Sequence, residues 1–323
     1  MTAVCIAWRV SHGQEPRLCV TCLVPIASIR TQSHLSLPAV PAYCVLGAAR
    51  QRAPFTSHAE RVLTPFVGRE QELATLHTLL AHAEQGRGQA VGLVGEAGLG
   101  KSRLLYELRR SIAGRQVLYL TGCCLSYGST TPYLPIIDLV RQHCGLTESD
   151  SLETVQTQLR HSLQAGDMAP ICRAPYLQRL LGAPDDTATV VSVSPDAVTR
   201  QIHAAVQQLS LHSSHRQLLI MEIEDLHWID PSSEAYLSTL VGRLPGAALL
   251  LLTTYRPGYA PAWMGKSYAT QIALQPLASQ ASQRTLQTLL QSRPAADALL
   301  PVILAKAHWN PFFLEELART AVV

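Results

Sequence analysis

Residues 95–102 read Gly-Glu-Ala-Gly-Leu-Gly-Lys-Ser, and this glycine-rich run constrains the fold more than any other part of the chain. It follows an apolar run, Ala90–Val94, and precedes Ser102–Ile112, where leucine and isoleucine recur at helical spacing. The sequence therefore predicts a strand, a tight turn and a helix. Glycines let such a turn curl until successive backbone N–H groups converge, and the helix N-terminus adds partial positive charge. The run indicates an anion-binding loop.

The spacing matches the GxxxxGK[ST] pattern of phosphate-binding loops. We expect Lys101 to reach the β- and γ-phosphates of a nucleoside triphosphate, and the Ser102 hydroxyl to ligate Mg²⁺. The alternative is a glycine-rich turn with an exposed lysine, which the flanking strand and helix disfavour. The predicted nucleotide-binding residues of the loop are Gly95, Glu96, Ala97, Gly98, Leu99, Gly100, Lys101 and Ser102.

A second apolar run, Leu218–Ile223, ends in the acidic pair Glu224 and Asp225. Carboxylates that follow a strand beside a phosphate loop are suited to hold Mg²⁺ and to polarise an attacking water. By position we assign Glu224 to the metal and Asp225 to catalysis, although the two roles can be exchanged; the alternative is a surface acidic pair. Glu222 interrupts the run on the same strand face as Glu224, so we expect it to be protonated, paired or near the site.

Arg256 follows a further predicted strand, within Thr253-Thr254-Tyr255-Arg256-Pro257. The carboxyl ends of parallel strands face the ligand crevice of an α/β sheet. Arg256 is therefore placed to sense a γ-phosphate as a catalytic residue, and the alternative is an exposed loop arginine.

The rest of the chain fits the same architecture. Alternating strand and helix patterns predict an α/β fold of the phosphate-loop NTPase type, with a parallel sheet covered by helices on both faces. We expect this core at residues 61–275 and the start of a helical lid subdomain, truncated, at 276–323. Residues 1–60 show no sustained periodicity and are interpreted as an irregular tail or linker. The predicted elements are helices at 70–84, 102–112 and over much of 132–215, a helix opened by Ser194-Pro195 and another by Asp230-Pro231, and strands at 90–94, 116–121, 217–223, 247–254 and 271–274.

Composition narrows the possible partners. The chain is 47% hydrophobic and 15% charged, which suits a large core and argues against a disordered protein. A net charge of +3 gives no electrostatic case for nucleic acid or a membrane surface.

The longest aliphatic run, Ala247–Leu252, is too short to span a membrane, and no secretory signal is evident, so we expect a soluble cytoplasmic protein. Cys19 and Cys22 form one CxxC without a second ligand pair, which favours coincidence over a metal or redox site.

Five blocks occur in an order that points to a family: Phe66–Glu70, the loop 95–102, Glu224–Pro231, Thr254–Pro257 and Asn310–Glu316. Together they resemble the signal-transducing ATPases with numerous domains (STAND), in the AAA-like subgroup that includes origin-recognition-type ATPase modules. The block at 122–135 also resembles that subgroup. The similarity covers about residues 61–320.

The resemblance implies ATP and Mg²⁺ as cofactors, with Val67, Gly68 and Arg69 near the adenine. It implies that Arg256 is the sensor arginine, and that the turn at Asn310 and Pro311 closes over the nucleotide, which adds Pro311 to the predicted nucleotide-binding residues. It also implies protein partners or self-association in the ATP state. His227 and Trp228 match the family's pattern, and we favour a structural role for them over catalysis.

Two departures from the family's pattern stand out. Trp309 occupies a position that is usually glycine and would be strained if the backbone there needs a positive φ. Glu222 replaces an expected apolar residue. In addition, residues 42–69 are similar to the junction behind class III nucleotide cyclase domains; comparable modules also occur in LuxR-type regulators. We therefore expect a fragment of a larger signalling protein.

The resulting prediction is a switch-type ATPase module of a signal-transduction protein, in which slow ATP hydrolysis drives a conformational change. The first alternative is a nucleotide-binding scaffold that does not hydrolyse ATP. The second is a DNA-remodelling ATPase, which the small net charge does not support.

Overall fold

The computed structural model describes residues 23–25, 43–45, 64–126, 131–164, 170–182, 194–290 and 296–322. The chain divides into two compact units, residues 1–57 and 58–323. In the first unit, β1 (Leu23–Pro25) and β2 (Tyr43–Val45) form an antiparallel pair. Strands of three residues are too short to show alternation, which is why the sequence did not predict them. The interpretation of residues 1–60 as a linker stays a prediction, and Cys19 and Cys22 lie outside the described residues.

The second unit contains a five-stranded sheet in which every strand pair is parallel. The strand order is β4-β5-β6-β3-β7, so the chain crosses over between non-adjacent positions and helices must cover both faces. The predicted parallel α/β fold is confirmed. The strands are β3 (Gln89–Val94), β4 (Val117–Cys123), β5 (Leu218–Glu224), β6 (Leu249–Tyr255) and β7 (Ala269–Ala273).

Ten helices accompany the strands in the described part of the chain. Among them, none combines the length and the apolar character that a bilayer crossing requires. They are α1 (Glu70–Glu84), α2 (Lys101–Ser111), α3 (Leu134–His143), α4 (Leu152–Gln164), α5 (Pro170–Leu180), α6 (Pro195–Arg216), α7 (Pro231–Val241), α8 (Ser279–Leu290), α9 (Ala296–Ala307) and α10 (Pro311–Val322).

Strands β5 and β6 are buried along their whole length, as their nearly continuous apolar sequences predict. Alternate residues of β5 face opposite layers: Leu218 and Ile220 pack with α1 and α2, whereas Leu219 and Met221 pack with α3, α6 and α7. By the same alternation, Glu222 and Glu224 face the α1–α2 layer. The sheet thus turns both carboxylates towards the helix that follows the glycine loop.

Helices α8–α10, hereafter the lid, form a small hydrophobic cluster of their own, which includes Leu286, Leu304 and Leu314. Pro301 lies inside α9, whereas Pro311 begins α10. Proline fits the first turn of a helix, whereas inside a helix it removes a backbone hydrogen bond. In the described part of the lid, the residues form helices and the turns beside them, and none extends the sheet.

Asp230 fixes the start of α7. Its side chain is buried, and Oδ1 accepts hydrogen bonds from the backbone N–H groups of Ser233 (2.9 Å) and Tyr133 (3.2 Å). We expect Asp230→Ala to lower the free energy of unfolding by about 2 kcal/mol, because two buried donors lose their acceptor. Ser194 precedes α6 without a side-chain capping bond, so Ser194→Ala should change stability by less than about 0.5 kcal/mol. Urea denaturation tests both; equal losses would contradict the capping role.

His143 lies at the end of α3, where its Nε2 is 3.3 Å from Ser213 Oγ. Burial lowers the pKa of His143 to about 4, and His212 adds to the effect. The unfolded chain therefore binds the proton more readily, and the native state loses stability as the pH falls from about 6.5 towards 4. Between pH 7.5 and 4.5, we expect the free energy of unfolding to fall on the order of 2 kcal/mol less in His143→Gln than in the wild type. Denaturation of wild type and variant at pH 7.5 and 4.5 measures it, and parallel pH profiles would contradict it.

Candidate functional site

The glycine loop connects β3 to α2 and depends on residues without a side chain. Gly98 and Gly100 have φ values of 81° and 91°, a region that other residues enter only with strain. A Cβ on Gly98 would also lie 2.6 Å from Asn310 Oδ1 of the lid. The first of these constraints is visible in the sequence, whereas the second arises only because the lid packs on the loop.

Lys101 opens α2 and turns back over the loop. Its Nζ donates hydrogen bonds to the backbone carbonyls of Gly95 (2.7 Å) and Glu96 (3.0 Å). Burial lowers the pKa of Lys101, Asp225 opposes this, and Arg256 reinforces it. The charged residues that the sequence assigned to separate strands therefore act on one ammonium group at the same edge of the sheet.

Ser102 and Glu224 form the closest contact between the loop helix and β5. Ser102 Oγ donates to Glu224 Oε2 over 2.5 Å, and Glu224 is 6% exposed. Burial raises the pKa of Glu224, the charge of Glu222 raises it further, and the hydrogen bond from Ser102 opposes both. A hydroxyl and a carboxylate are hard oxygen donors of the kind that Mg²⁺ prefers.

The described residues contain no group of three or more His, Cys, Asp or Glu side chains that could hold an ion by themselves. Mg²⁺ beside a nucleotide is normally held by one or two protein oxygens, with phosphate oxygens and water completing the shell. The Ser102–Glu224 pair fits that donor set.

Asp225 directly follows β5 in a left-handed conformation, with φ 56°. Its backbone N–H donates to Thr254 Oγ1 on β6 (2.9 Å), and its side chain is 43% exposed. Thr254 itself is buried. This bond between neighbouring strand ends turns the Asp225 carboxylate out of the sheet towards solvent, on the side where Lys101 lies.

His227 and Trp228 form a short turn after Asp225, with their ring centroids 5.1 Å apart. His227 Nδ1 lies 4.0 Å from Asp225 Oδ1, and neither ring nitrogen has a hydrogen-bond partner among the described residues. Burial lowers the pKa of His227, and Asp225 opposes this. Trp228 is 39% exposed, so its indole is not packed in the core, and the structural role assigned to the pair stays a prediction.

Arg256 follows β6 as predicted, and its side chain is exposed. Its positive charge lowers the pKa of both Lys101 and His227, which places the guanidinium within electrostatic range of the loop. Asp225, Glu224 and Arg256, the three predicted catalytic residues, all act electrostatically on the pKa of Lys101, and their catalytic roles stay predictions.

Val67, Gly68 and Arg69 lie between the loop and the lid. Val67 packs against the lid cluster, and a Cβ on Gly68 would lie 2.6 Å from Ala281 Cβ. The buried Arg69 guanidinium donates to the carbonyls of Leu99 (3.3 Å) and Gln275 and pairs with Glu72. Arg69 thus ties the segment before α1 to the loop and to the chain that enters the lid.

The turn between α9 and α10 contacts the loop directly. Asn310 Nδ2 donates to Ala97 O (3.0 Å), and the Phe312 N–H donates to Gly98 O (3.3 Å). Trp309 has φ 61°, so the strain expected at this position is present, and its carbonyl accepts from the Leu277 N–H (2.9 Å). Pro311 begins α10, where proline fits because the first helical N–H needs no partner.

A cavity of about 560 Å³ lies between the loop and the lid. Gly95, Glu96 and Leu99 line it on the core side, together with the segment after β7; Lys306, Asn310 and Phe313 line it on the lid side. Pro311 is not among its lining residues. The cavity adjoins the predicted phosphate-binding loop and is large enough for a small ligand.

Glu222, which we expected to be protonated, paired or near the site, is paired. It is 2% exposed, and its Oε2 accepts a hydrogen bond from Arg109 Nη2 (3.0 Å) and another from Tyr119 Oη. The Arg109 guanidinium lies over the Tyr119 ring, 4.5 Å from its centroid. We did not predict Arg109 or Tyr119, because neither lies in a motif and each meets Glu222 only through the fold.

A family model described as AAA ATPase domain matches residues 65–252, more than half of the chain. An uncharacterized protein of Rhizobium meliloti (strain 1021) is 27% identical over 259 residues, which cover 79% of this chain and 25% of that protein. The chain thus spans a quarter of the length of that relative.

Two solved structures are matched over parts of their chains. A STAND protein with a tetratricopeptide repeat sensor from Pyrococcus horikoshii is 14% identical, with a TM-score of 0.39, over 78% of this chain and 30% of that chain. The Aeropyrum pernix Orc1 protein, solved in complex with DNA, is 15% identical, with a TM-score of 0.43, over 83% and 63% of the two chains. By the match of the family model, this chain belongs to the AAA ATPase domain family.

Proposed function

We infer that this AAA ATPase module binds Mg-ATP and acts as a switch in a signal-transduction protein. ATP occupancy closes the lid on the loop, and slow hydrolysis to ADP and phosphate resets it. The observation that carries this proposal is the direct hydrogen bonding between the lid turn at Asn310 and the loop carbonyl of Ala97. Any change that a nucleotide imposes on the loop is thereby passed to the lid.

The residues of the loop have distinct tasks in this proposal. Backbone N–H groups between Gly95 and Gly100 cradle the phosphates, and Lys101 exchanges its two carbonyl partners for phosphate oxygens. Ser102 and Glu224 hold Mg²⁺, which when bound neutralises charge on the β- and γ-phosphates. Val67, Gly68 and Arg69 shape the adenine side, and Pro311 sets the lid turn above the loop.

Hydrolysis is assigned to the neighbouring charged groups. Asp225 lies half exposed beside Lys101, where its carboxylate orients a water for attack on the γ-phosphate. Arg256 senses the γ-phosphate from the end of β6, within electrostatic range of the same lysine. ATP and ADP are the proposed ligands, and protein partners or self-association in the ATP state provide the output in the cytoplasm.

A second candidate function is a nucleotide-binding scaffold without turnover. It is favoured by the left-handed Trp309 in the lid turn and by the charge of Glu222 close behind the metal-binding carboxylate. Under this alternative, ATP still binds and the lid still responds, but no phosphate is released. Measurements of binding and of turnover therefore separate the two candidates.

Lys101→Ala tests the nucleotide site. We expect the affinity for ATP, measured by calorimetry with Mg²⁺, to fall at least about tenfold, because a charge-assisted contact to the phosphates is lost. Lys266 is exposed and lies before β7, so Lys266→Ala is a matched control that should bind ATP as the wild type does. Unchanged affinity in the Lys101 variant would refute the site.

Asp225→Asn tests hydrolysis. We expect phosphate release from Mg-ATP to fall at least about a hundredfold, because the amide cannot accept a proton from the attacking water. The affinity for ATP should stay close to that of the wild type, and Glu153→Gln, an exposed change on α4, should leave turnover intact. Indistinguishable rates near zero for wild type and Asp225→Asn would support the scaffold. Turnover that requires DNA would support the DNA-remodelling alternative instead.

A further inference from the structure

A charged cluster lies directly behind the Ser102–Glu224 pair, with Glu222 buried and the Arg109 side chain 34% exposed. Glu222 is two residues before Glu224 on the same face of β5, and Arg109 is seven residues after Ser102 on α2. Seven residues are close to two helical turns, so Ser102 and Arg109 project from one side of α2. The same helix and the same strand are therefore joined twice, by Ser102 to Glu224 and by Arg109 to Glu222.

Tyr119 adds a third element to this connection. It lies on β4, which pairs with β5 in parallel, and its hydroxyl donates to the carboxylate of Glu222. Its ring lies under the Arg109 guanidinium, which limits the rotation of the arginine side chain. The position of Glu222 is thus set by α2, β4 and β5 together.

Stability alone does not account for this arrangement. A buried ion pair is often no more stabilising than apolar side chains of similar volume, and the neighbouring residues of β5 are apolar. What an ion pair with a planar guanidinium supplies instead is a defined geometry. A shift of β5 along α2 would separate Glu224 from Ser102, and the pair of Arg109 with Glu222 opposes such a shift because it joins the same two elements.

We propose that Arg109, Glu222 and Tyr119 form a positioning triad that holds Glu224 opposite Ser102 for the Mg²⁺ of the bound nucleotide. The inference rests on the proposed function, because it concerns the metal that accompanies ATP. The three residues touch neither nucleotide nor metal and act through Glu224. Groups that orient a metal ligand in this way commonly change metal affinity by one to two orders of magnitude when they are removed.

The test replaces the ion pair by apolar side chains in the double variant Glu222→Leu with Arg109→Met, which leaves no buried charge without a partner. ATP affinity is measured by calorimetry in EDTA and over a Mg²⁺ titration. We expect unchanged affinity in EDTA, because the loop and Lys101 are intact, and a rise of about tenfold in the Mg²⁺ concentration for half-maximal enhancement of binding.

The chain offers a control in a second, more exposed ion pair. Arg115 Nη2, in the segment between α2 and β4, lies 2.7 Å from Glu84 Oε1 at the end of α1, and neither residue belongs to the loop, to β5 or to the cluster. The double variant Glu84→Leu with Arg115→Met should leave the Mg²⁺ requirement unchanged. An equal rise in this control would show a general effect of ion-pair removal and would overturn the proposal.

Tyr119→Phe provides a variant with minimal disturbance of the core. It keeps the ring under Arg109 and removes only the hydroxyl, so we expect a rise of about threefold in the Mg²⁺ requirement. An unchanged requirement in both the double variant and Tyr119→Phe overturns the triad, as does an equal loss of ATP affinity in EDTA. A wild type that binds no ATP in either condition refutes the proposed function itself, and the triad with it.

Discussion

The hydrogen bond between Ser102 and Glu224 is the contact on which the site depends. It joins the start of α2 to the end of β5 over 2.5 Å, although β6 lies between β3 and β5 in the sheet. The glycine loop must therefore carry the start of α2 past the end of β6 to bring Ser102 to the carboxylate. Helix α2 then packs its apolar face on the sheet and meets β5 again at Arg109 and Glu222.

The same edge of the sheet is where the lid attaches. Asn310 and the Phe312 N–H bond to loop carbonyls, and Arg69 joins the segment before α1 to the loop and to the chain entering the lid. Val67 and Thr64 add contacts to the lid from the segment before α1. The loop and this segment therefore share the attachment of the lid.

Much of the core was predictable because its signals are local. Helix α1 was predicted with the observed bounds, and β3, β5 and β6 within two residues at each end, since each is a periodic or continuous apolar segment. The partners of Glu222 were not predictable, because Arg109 and Tyr119 are more than a hundred residues away in sequence. Likewise, the strain expected for Trp309 depended on a positive φ that only the packed lid turn reveals.

The sequence by itself determined the loop, the strand that feeds it, and the identity of the charged side chains at the strand ends. These follow from backbone freedom at glycine, from apolar periodicity and from the chemistry of each side chain, all of which are local properties. Tertiary structure alone decided the direct contacts, namely the hydrogen bond from Ser102 to Glu224 and the ion pair of Arg109 with Glu222. Such pairs depend on strand order and helix packing, which place distant segments within hydrogen-bond distance.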